Sequence, residues 1–320
     1  MEQVPLPIID MGPLRRDEPG ARAALARQIS AASRELGFFY VINHGVPDAL
    51  MRDQLRWAES FFSQPLAQKM KVDFRNLPVR RGYEPMAMQT LQAGAQPDQK
   101  EGFSINRDPS GDPDRAAYEG PNQWPASATG FEAGGFRAQM EAYRDAMIVL
   151  GTELCGLLAL SLGLDADYFA DAMADPNVCV RLLHYPPQPA NIPADRFGCG
   201  AHTDWGLITI LLQDDCGGLE IEVGADQWLR ATPVPGAFIV NLGDMVVRMT
   251  AGRYASNVHR VINRAPQRHR YSVPTFFNPP GYYMVDRVPT CAGEGKPPPI
   301  RFNDYIEEMA KRTYALNLNP

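Results

Sequence analysis

CVRLLHY (179–185) is the first of a series of short runs, rich in β-branched and aromatic residues, that fill the second half of the chain. The later runs are LITILLQ (207–213), LEIEV (219–223), WLRA (228–231), AFIVNL (237–242), NVHRVIN (257–263) and YSVPTFF (271–277). Turn residues separate them, among them Pro186-Pro187, Gly217-Gly218 and Pro235-Gly236. Seven or more short strands at this spacing predict an antiparallel sandwich or barrel.

The sequence before these strands is mainly helical. Apolar residues at helical spacing predict helices over Pro19–Leu36, up to about Ser63, and from Phe136 to Ser161, whereas 75–125 is predicted to be mostly loop. A closing helix is predicted over Phe302–Leu316. We therefore expect a mixed α/β fold with a mainly β core. We divide it into an N-terminal helical and loop region (1–125), a long scaffold helix (126–177), a β core (178–283) and a C-terminal loop and helix (284–320).

Composition narrows the class of protein. The 320 residues carry 31 basic and 37 acidic side chains, a net charge of −6, so no basic excess points to nucleic acid as a partner. The longest apolar stretch, Leu154 to Leu164, is too short for a membrane span. The five cysteines are far apart, and the N-terminus lacks the apolar segment of a secretory signal, so we expect free thiols in the cytoplasm.

His202-Thr203-Asp204 is the most informative short motif among the five histidines of the chain. Residues i and i+2 of a strand share a face, so this imidazole and carboxylate can bind one ion. His259 lies in another predicted strand, and barrel pairing can bring it alongside. Two histidines and one carboxylate form the facial triad of non-haem Fe(II) oxygenases. On spacing alone, ordinary half-buried histidines remain the alternative.

Arg270 and Ser272 follow eleven residues after His259 and share one face of a predicted strand. A guanidinium binds a carboxylate through two parallel hydrogen bonds, and a hydroxyl can add a third. Beside a metal, this pair would anchor the far carboxylate of a chelating dicarboxylate, with Tyr185 as a further donor. The alternative is a surface arginine in a basic run and a tyrosine packed in a turn.

Nine blocks of sequence, in order along nearly the whole chain, resemble one family, the isopenicillin N synthase-like Fe(II)/2-oxoglutarate-dependent dioxygenases. They are PIIDM (7–11), LGFFYVINHGVP (36–47), RRGYEP (80–85), GPNQWP (120–125), HYPPQP (184–189), GAHTDWGLITILLQD (200–214), GGLEI (217–221), VNLGDMVVRMTAGRYASNVHRVIN (240–263) and RYSVPTFF (270–277). The resemblance implies a double-stranded β-helix, or jelly roll, with a metal at its mouth.

By motif position, the resemblance assigns Fe(II) to His202, Asp204 and His259, and 2-oxoglutarate to Arg270, Ser272 and Tyr185. Plant members often have an asparagine where this chain has Leu183, which leaves the role of Tyr185 open. In the name-giving synthase a similar Arg-x-Ser pair holds the substrate instead, but most members use it for 2-oxoglutarate, and we adopt that interpretation.

Other side chains are candidates for the substrate pocket or for structural roles. Trp205, Arg181 and Met86 are the candidates to face a small-molecule substrate. We expect Asn241 to close a turn. The remaining histidines, His44, His184 and His269, are expected to pack away from the site, because the last two alternate with Tyr185 and Arg270 along their strands.

The family resemblance implies an oxidoreductase that uses Fe(II), 2-oxoglutarate and O2, releases succinate and CO2, and hydroxylates a small organic substrate by default. Ethylene formation, desaturation and oxidative cyclisation use the same ligands, so the motifs leave them open. A non-catalytic binding protein on the same barrel and a zinc hydrolase are alternatives from other classes. The sequence determines neither the prime substrate nor the oligomeric state.

Overall fold

The computed structural model describes residues 6–109, 111, 119–188, 196–263, 265, 267–291 and 298–314. The strands are β1 (Ile8–Asp10), β2 (Phe38–Ile42), β3 (Gly82–Glu84), β4 (Glu101–Ile105), β5 (Asn177–Tyr185), β6 (Cys199–His202), β7 (Ile208–Gln213), β8 (Leu219–Gly224), β9 (Gln227–Arg230), β10 (Phe238–Leu242), β11 (His259–Val261), β12 (Arg270–Asn278), β13 (Met284–Val285) and β14 (Ile300–Arg301). The α-helices are α1 (Gly12–Arg15), α2 (Ala21–Glu35), α3 (Asp48–Phe62), α4 (Leu66–Lys69), α5 (Ala133–Ser161), α6 (Ala170–Met173), α7 (Asp244–Met249) and α8 (Phe302–Tyr314).

Two sheets form the β core. The larger has eight strands in the order β1-β2-β10-β7-β12-β5-β4-β3, and the smaller has four in the order β6-β11-β8-β9. Neighbouring strands run antiparallel, apart from the parallel pair β1 and β2. The expected jelly roll, with helices before and after it in the chain, is confirmed.

The inner faces of the two sheets share one hydrophobic cluster. Phe38, Tyr185 and Ile239 from the large sheet pack with Leu219 and Ile221 from the small sheet, and each of them is at most 2% exposed. Burial of aromatic and branched side chains from both sheets stabilises the sandwich through the hydrophobic effect. Phe38, Tyr185 and Leu219 of this cluster also line the cavity described below.

The long helix α5 covers the other face of the large sheet. Phe136, Met140, Tyr143 and Met147 recur every three or four residues and are fully buried, as the sequence pattern predicts. The helix begins where the Glu132 side chain accepts hydrogen bonds from the first backbone amides, which satisfies donors that have no partner inside the helix. With α2 and α3 it forms the scaffold behind the sheet.

The N-terminal part of the chain contributes more strand than its sequence predicted. Within the segment expected to be mostly loop, β3 and β4 pair with each other and extend the large sheet beside β5. Runs of three to five residues have too little periodicity to identify, and their pairing partners are distant in sequence. The predicted end of the last helix, Leu316, lies outside the described residues.

His184, which we expected to pack away from the site, does so. His184 is hydrogen-bonded to Glu101 and His269 at 2.7 Å each and stacks on Phe62 and Tyr271, on the face opposite Tyr185. All five cysteines are free thiols. Each helix in the described part of the chain is too short or too polar to cross a bilayer.

Gly37 ends α2 and leads into β2, and it provides a test of this junction. Its φ is +67°, and a Cβ atom would lie 2.1 Å from the backbone oxygen of Ala255. We expect Gly37→Ala to lower the free energy of unfolding by about 3 kcal/mol, because it adds a backbone clash to the strain of a positive φ.

Gly20, at the other end of α2, is the matched control, since its φ is +78° and a Cβ would meet nothing within 4 Å. Gly20→Ala should cost only about 1 kcal/mol, the strain alone. Urea denaturation of both variants makes the comparison, and equal losses would contradict the proposed clash.

Candidate active site

His202 and His259 are brought together by strand pairing. They are directly opposite each other where β6 and β11 pair, and their ring centroids are 4.3 Å apart. The Nε2 atoms of His202 and His259 lie 4.0 Å and 3.9 Å from Oδ1 of Asp204. Two ligands of one ion, each at about 2.1 Å, can be at most about 4.2 Å apart. The three side chains therefore fit a single metal ion.

Hydrogen bonds orient both imidazoles toward this point. Nδ1 of His202 is 2.8 Å from the Gly200 carbonyl oxygen, and Nδ1 of His259 is 3.2 Å from that of Asn257. A nitrogen facing a carbonyl carries the proton, so each Nε2 presents a lone pair. Burial lowers the pKa of His202, and burial together with the adjacent His202 lowers the pKa of His259 to about 4. Both rings are neutral at pH 7, the form that binds metals.

The large sheet holds the Asp204 carboxylate. Its Oδ2 accepts hydrogen bonds from Thr209 Oγ1 at 2.6 Å and Asn241 Nδ2 at 2.7 Å, which leaves Oδ1 for the imidazoles. Burial by itself would raise the pKa of Asp204, but the two histidines and these hydrogen bonds outweigh it and lower that pKa. The expectation that Asn241 closes a turn is wrong: it lies within β10 and orients a site carboxylate.

Asp244 is a further anchor of the site that the sequence did not reveal. Its carboxylate accepts hydrogen bonds from Thr203 at 3.2 Å, from Ser256 at 3.1 Å and from Tyr305 of α8 at 2.9 Å. Thr203 lies between two members of the cluster, and Ser256 precedes the third by three residues. Asp244 thus fixes both segments to the C-terminal helix, and no short-range pattern joins positions so far apart.

Arg270 lies deep in the same cavity and is 1% exposed. Its guanidinium donates to the Gly217 carbonyl oxygen, to Ser272 Oγ at 3.0 Å and to Gln213 Oε1 at 3.4 Å. Its Cζ is 4.7 Å from the ring centroid of Tyr185, the residue opposite it across β12 and β5. All of these hydrogen-bond partners are neutral, so within the described part of the chain no carboxylate is hydrogen-bonded to Arg270, and the nearby Asp214 acts on its charge only from a distance.

One cavity of about 310 Å³ contains these groups. Alternate residues of β5 and β12 line it, because side chains two residues apart on a strand share a face. Trp205 and Arg181, the candidate substrate residues, both line the cavity. The expectation for Met86 is wrong: among the described residues, Gln89 and Leu91 of the same segment line the cavity and Met86 does not. No helical or strand period runs through this loop, so its inward side chains could not be predicted.

Two family profiles match the chain. Residues 6–127 match the N-terminal region of a non-haem dioxygenase in morphine synthesis, and residues 176–279 match the 2OG-Fe(II) oxygenase superfamily. The chain belongs to the Fe(II)/2-oxoglutarate-dependent dioxygenases. The enzyme is therefore an oxidoreductase that uses Fe(II), 2-oxoglutarate and O2.

Curated relatives and solved structures agree over nearly the full length of the dioxygenase. It is 37% identical to a 2-oxoglutarate-Fe(II) type oxidoreductase of Emericella nidulans, over 96% of this chain and 90% of that protein. It is 40% identical to a 2-oxoglutarate-dependent dioxygenase of Monascus ruber, over 85% and 84%. Its structure resembles that of a Neurospora crassa protein in complex with alpha-KG and thymine, with a TM-score of 0.83, 27% identity and coverage of 96% and 97%.

Thr209 tests the support of the Asp204 carboxylate. Thr209→Val keeps the size of the side chain and removes one of the two hydrogen bonds to Oδ2. Loss of a group that orients a metal ligand typically weakens metal binding by about 10- to 100-fold, and we expect a loss in that range for Fe(II) by anaerobic calorimetry. Thr275→Val is the control, since Thr275 is fully buried but does not line the cavity. Equal affinities of the two variants would show that the hydrogen bond does not matter.

Proposed function

We propose that this dioxygenase hydroxylates a small organic molecule, with His202, Asp204 and His259 as the Fe(II) ligands. In the same proposal, Arg270, Ser272 and Tyr185 bind the C5 carboxylate of 2-oxoglutarate, and Trp205 and Arg181 contact the substrate. Three donors on one side of an ion leave the opposite positions for a chelating cosubstrate and O2.

The observation that carries the proposal is that the buried guanidinium of Arg270 is hydrogen-bonded only to neutral groups. A buried cation without a counter-ion costs several kcal/mol, and this one lies in the cavity that contains the three metal-binding groups. A dicarboxylate such as 2-oxoglutarate would supply the missing negative charge at one end while its other end chelates the metal. Ser272 offers a hydroxyl next to the guanidinium, and this hydroxyl can donate a further hydrogen bond to a bound carboxylate.

The side chains around the metal position reactants and exclude water. When bound, Fe(II) supplies the oxidative chemistry in which 2-oxoglutarate is converted to succinate and CO2 while a C–H bond of the substrate is oxidised. Asp204 contributes a negative charge that Thr209 and Asn241 keep in place. Phe38 packs edge-on against His259 at 5.2 Å and limits its rotation. A fixed ligand set leaves only the substrate to be oriented.

The size of the cavity supports a small substrate. Its volume of about 310 Å³ is near the lower limit for ligand pockets, roughly 300–1,000 Å³, and it must hold 2-oxoglutarate as well. Hydroxylation is the outcome we propose because it requires no group beyond a positioned C–H bond. Two apolar rings, Trp205 and Phe276, line the cavity and offer surfaces for the carbon skeleton.

The metal ligands are tested by single replacement. We expect His202→Ala, Asp204→Ala and His259→Ala each to lose most bound iron and activity while staying folded, because two remaining ligands hold an ion weakly. Iron content is measured by elemental analysis and folding by circular dichroism, with His184→Ala as a histidine control outside the cavity. Full iron stoichiometry in all three variants would refute the assignment.

The role of Arg270 is tested by its effect on the cosubstrate. Losing one partner of a buried charge pair costs roughly 2–5 kcal/mol, so Arg270→Ala should weaken 2-oxoglutarate binding by about thirtyfold or more, with iron retained. Arg260→Ala is the control, because Arg260 is paired with Glu220 at 2.9 Å and does not line the cavity. Unchanged affinity for 2-oxoglutarate in Arg270→Ala would indicate that Arg270 and Ser272 hold the substrate instead.

A further inference from the structure

The cavity contains a second arginine whose charge, unlike that of Arg270, is already neutralised. Nη2 of Arg181 is 2.6 Å from Oε1 of Glu84 and 3.4 Å from the Tyr314 hydroxyl, and that hydroxyl donates to Oε2 of Glu84 at 2.9 Å. Burial and the neighbouring Glu84 raise the pKa of Tyr314, so it remains a protonated donor. We call Glu84, Arg181 and Tyr314 the paired subsite.

The paired subsite lies away from the proposed 2-oxoglutarate end. Arg181 and Tyr185 are four residues apart on one face of β5, which is about 13 Å along a strand. The three members come from β3, β5 and α8, and all line the cavity. A molecule held between the metal and the paired subsite would occupy the part of the cavity that 2-oxoglutarate leaves open.

Both charged members retain hydrogen-bonding capacity. Within the described residues, Nε and Nη1 of Arg181 donate to no protein group, and neither atom is fully buried. Oε1 of Glu84 accepts one hydrogen bond from Arg181, and Oε2 accepts one from Tyr314. Each carboxylate oxygen can accept two. The subsite therefore offers free donors and free acceptors side by side, with no net charge.

We propose that the paired subsite selects an uncharged substrate bearing a carboxamide or lactam group, with its carbonyl on Arg181 and its N–H on Glu84. This inference rests on the proposed function and adds the substrate class. A substrate carboxylate would be attracted by Arg181 but repelled by Glu84. A substrate ammonium would be attracted by Glu84 but repelled by Arg181.

Lys100 and Arg80 also line the cavity. Lys100 is paired with Asp98. Arg80 is exposed and stacks on the Tyr314 ring at 4.4 Å, where water and salt screen its charge, so neither cation shifts the balance toward anions.

Three probes of one shape separate these cases: benzamide, benzoate and benzylamine. Binding is measured by calorimetry under nitrogen, on the full-length protein loaded with Fe(II) and 2-oxoglutarate, so that no turnover occurs. We expect the wild type to bind benzamide with a dissociation constant of roughly 10 mM or below and to bind both charged probes at least about tenfold more weakly.

Charge-removing variants should redirect the preference. Glu84→Gln leaves Arg181 unpaired and should favour benzoate, whereas Arg181→Gln leaves Glu84 unpaired and should favour benzylamine, each by about tenfold over benzamide. The double variant, which combines Glu84→Gln with Arg181→Gln, removes both charges of the pair together, so we expect it to fold. It should lose discrimination between the probes. Glu220→Gln is the matched control: it removes a buried carboxylate paired with an arginine outside the cavity and should keep the wild-type order.

Several outcomes would overturn the proposal. These are a wild type that prefers benzoate or benzylamine, a wild type with no saturable binding of benzamide at tens of millimolar, and variants in which all three affinities change by the same factor. The dissociation constant of 2-oxoglutarate is measured on the same preparations. Normal 2-oxoglutarate binding with the wrong probe order would refute this inference alone, whereas failure of the wild type to bind 2-oxoglutarate would refute the proposed function.

Discussion

Two short hydrogen bonds to one carboxylate oxygen link the two sheets at the active site. Thr209 and Asn241, on neighbouring strands of the large sheet, donate to Oδ2 of Asp204, while Oδ1 faces the imidazoles of the small sheet. A carboxylate buried at this depth requires such donors. Their geometry fixes where the oxygen can point, and the position of a metal ion follows from it. The aromatic packing between the sheets keeps the two halves of this arrangement at the required separation.

The buried cations of the cavity differ in whether a carboxylate is bound to them. Lys100 and Arg181 each have a carboxylate partner, whereas Arg270 has only neutral partners among the described residues. Because a buried cation without a hydrogen-bonded carboxylate is costly, we propose that Arg270 marks the end at which an anion binds. In our proposal, the neutral Arg181–Glu84 pair forms an end at which hydrogen bonding, rather than charge, determines what binds. In this proposal, chemical selectivity depends on how the charges are paired as well as on which residues are present.

The C-terminal helix is part of the site as well as its cover. Tyr305 donates to Asp244, which also holds Thr203 and Ser256 beside the proposed metal ligands. Further along the same helix, Ile306 lines the cavity and Tyr314 reaches Glu84. One helix therefore contacts both the support of the proposed metal site and the proposed substrate subsite, so the position of α8 affects both.

The sequence by itself determined the strand pattern, the long helix and the family, because these depend on local periodicity and on motifs with fixed spacing. It also indicated His202 with Asp204, since residues two apart on a strand share a face, and Arg270 with Ser272 for the same reason. Only the tertiary structure decided that Asn241 orients Asp204, that Asp244 joins distant segments, that Met86 does not line the cavity, and that Glu84 neutralises Arg181. Each of these depends on residues from elements far apart in the chain, or on loop backbone without a period. Their proximity is set by packing of the whole fold, which no local pattern encodes.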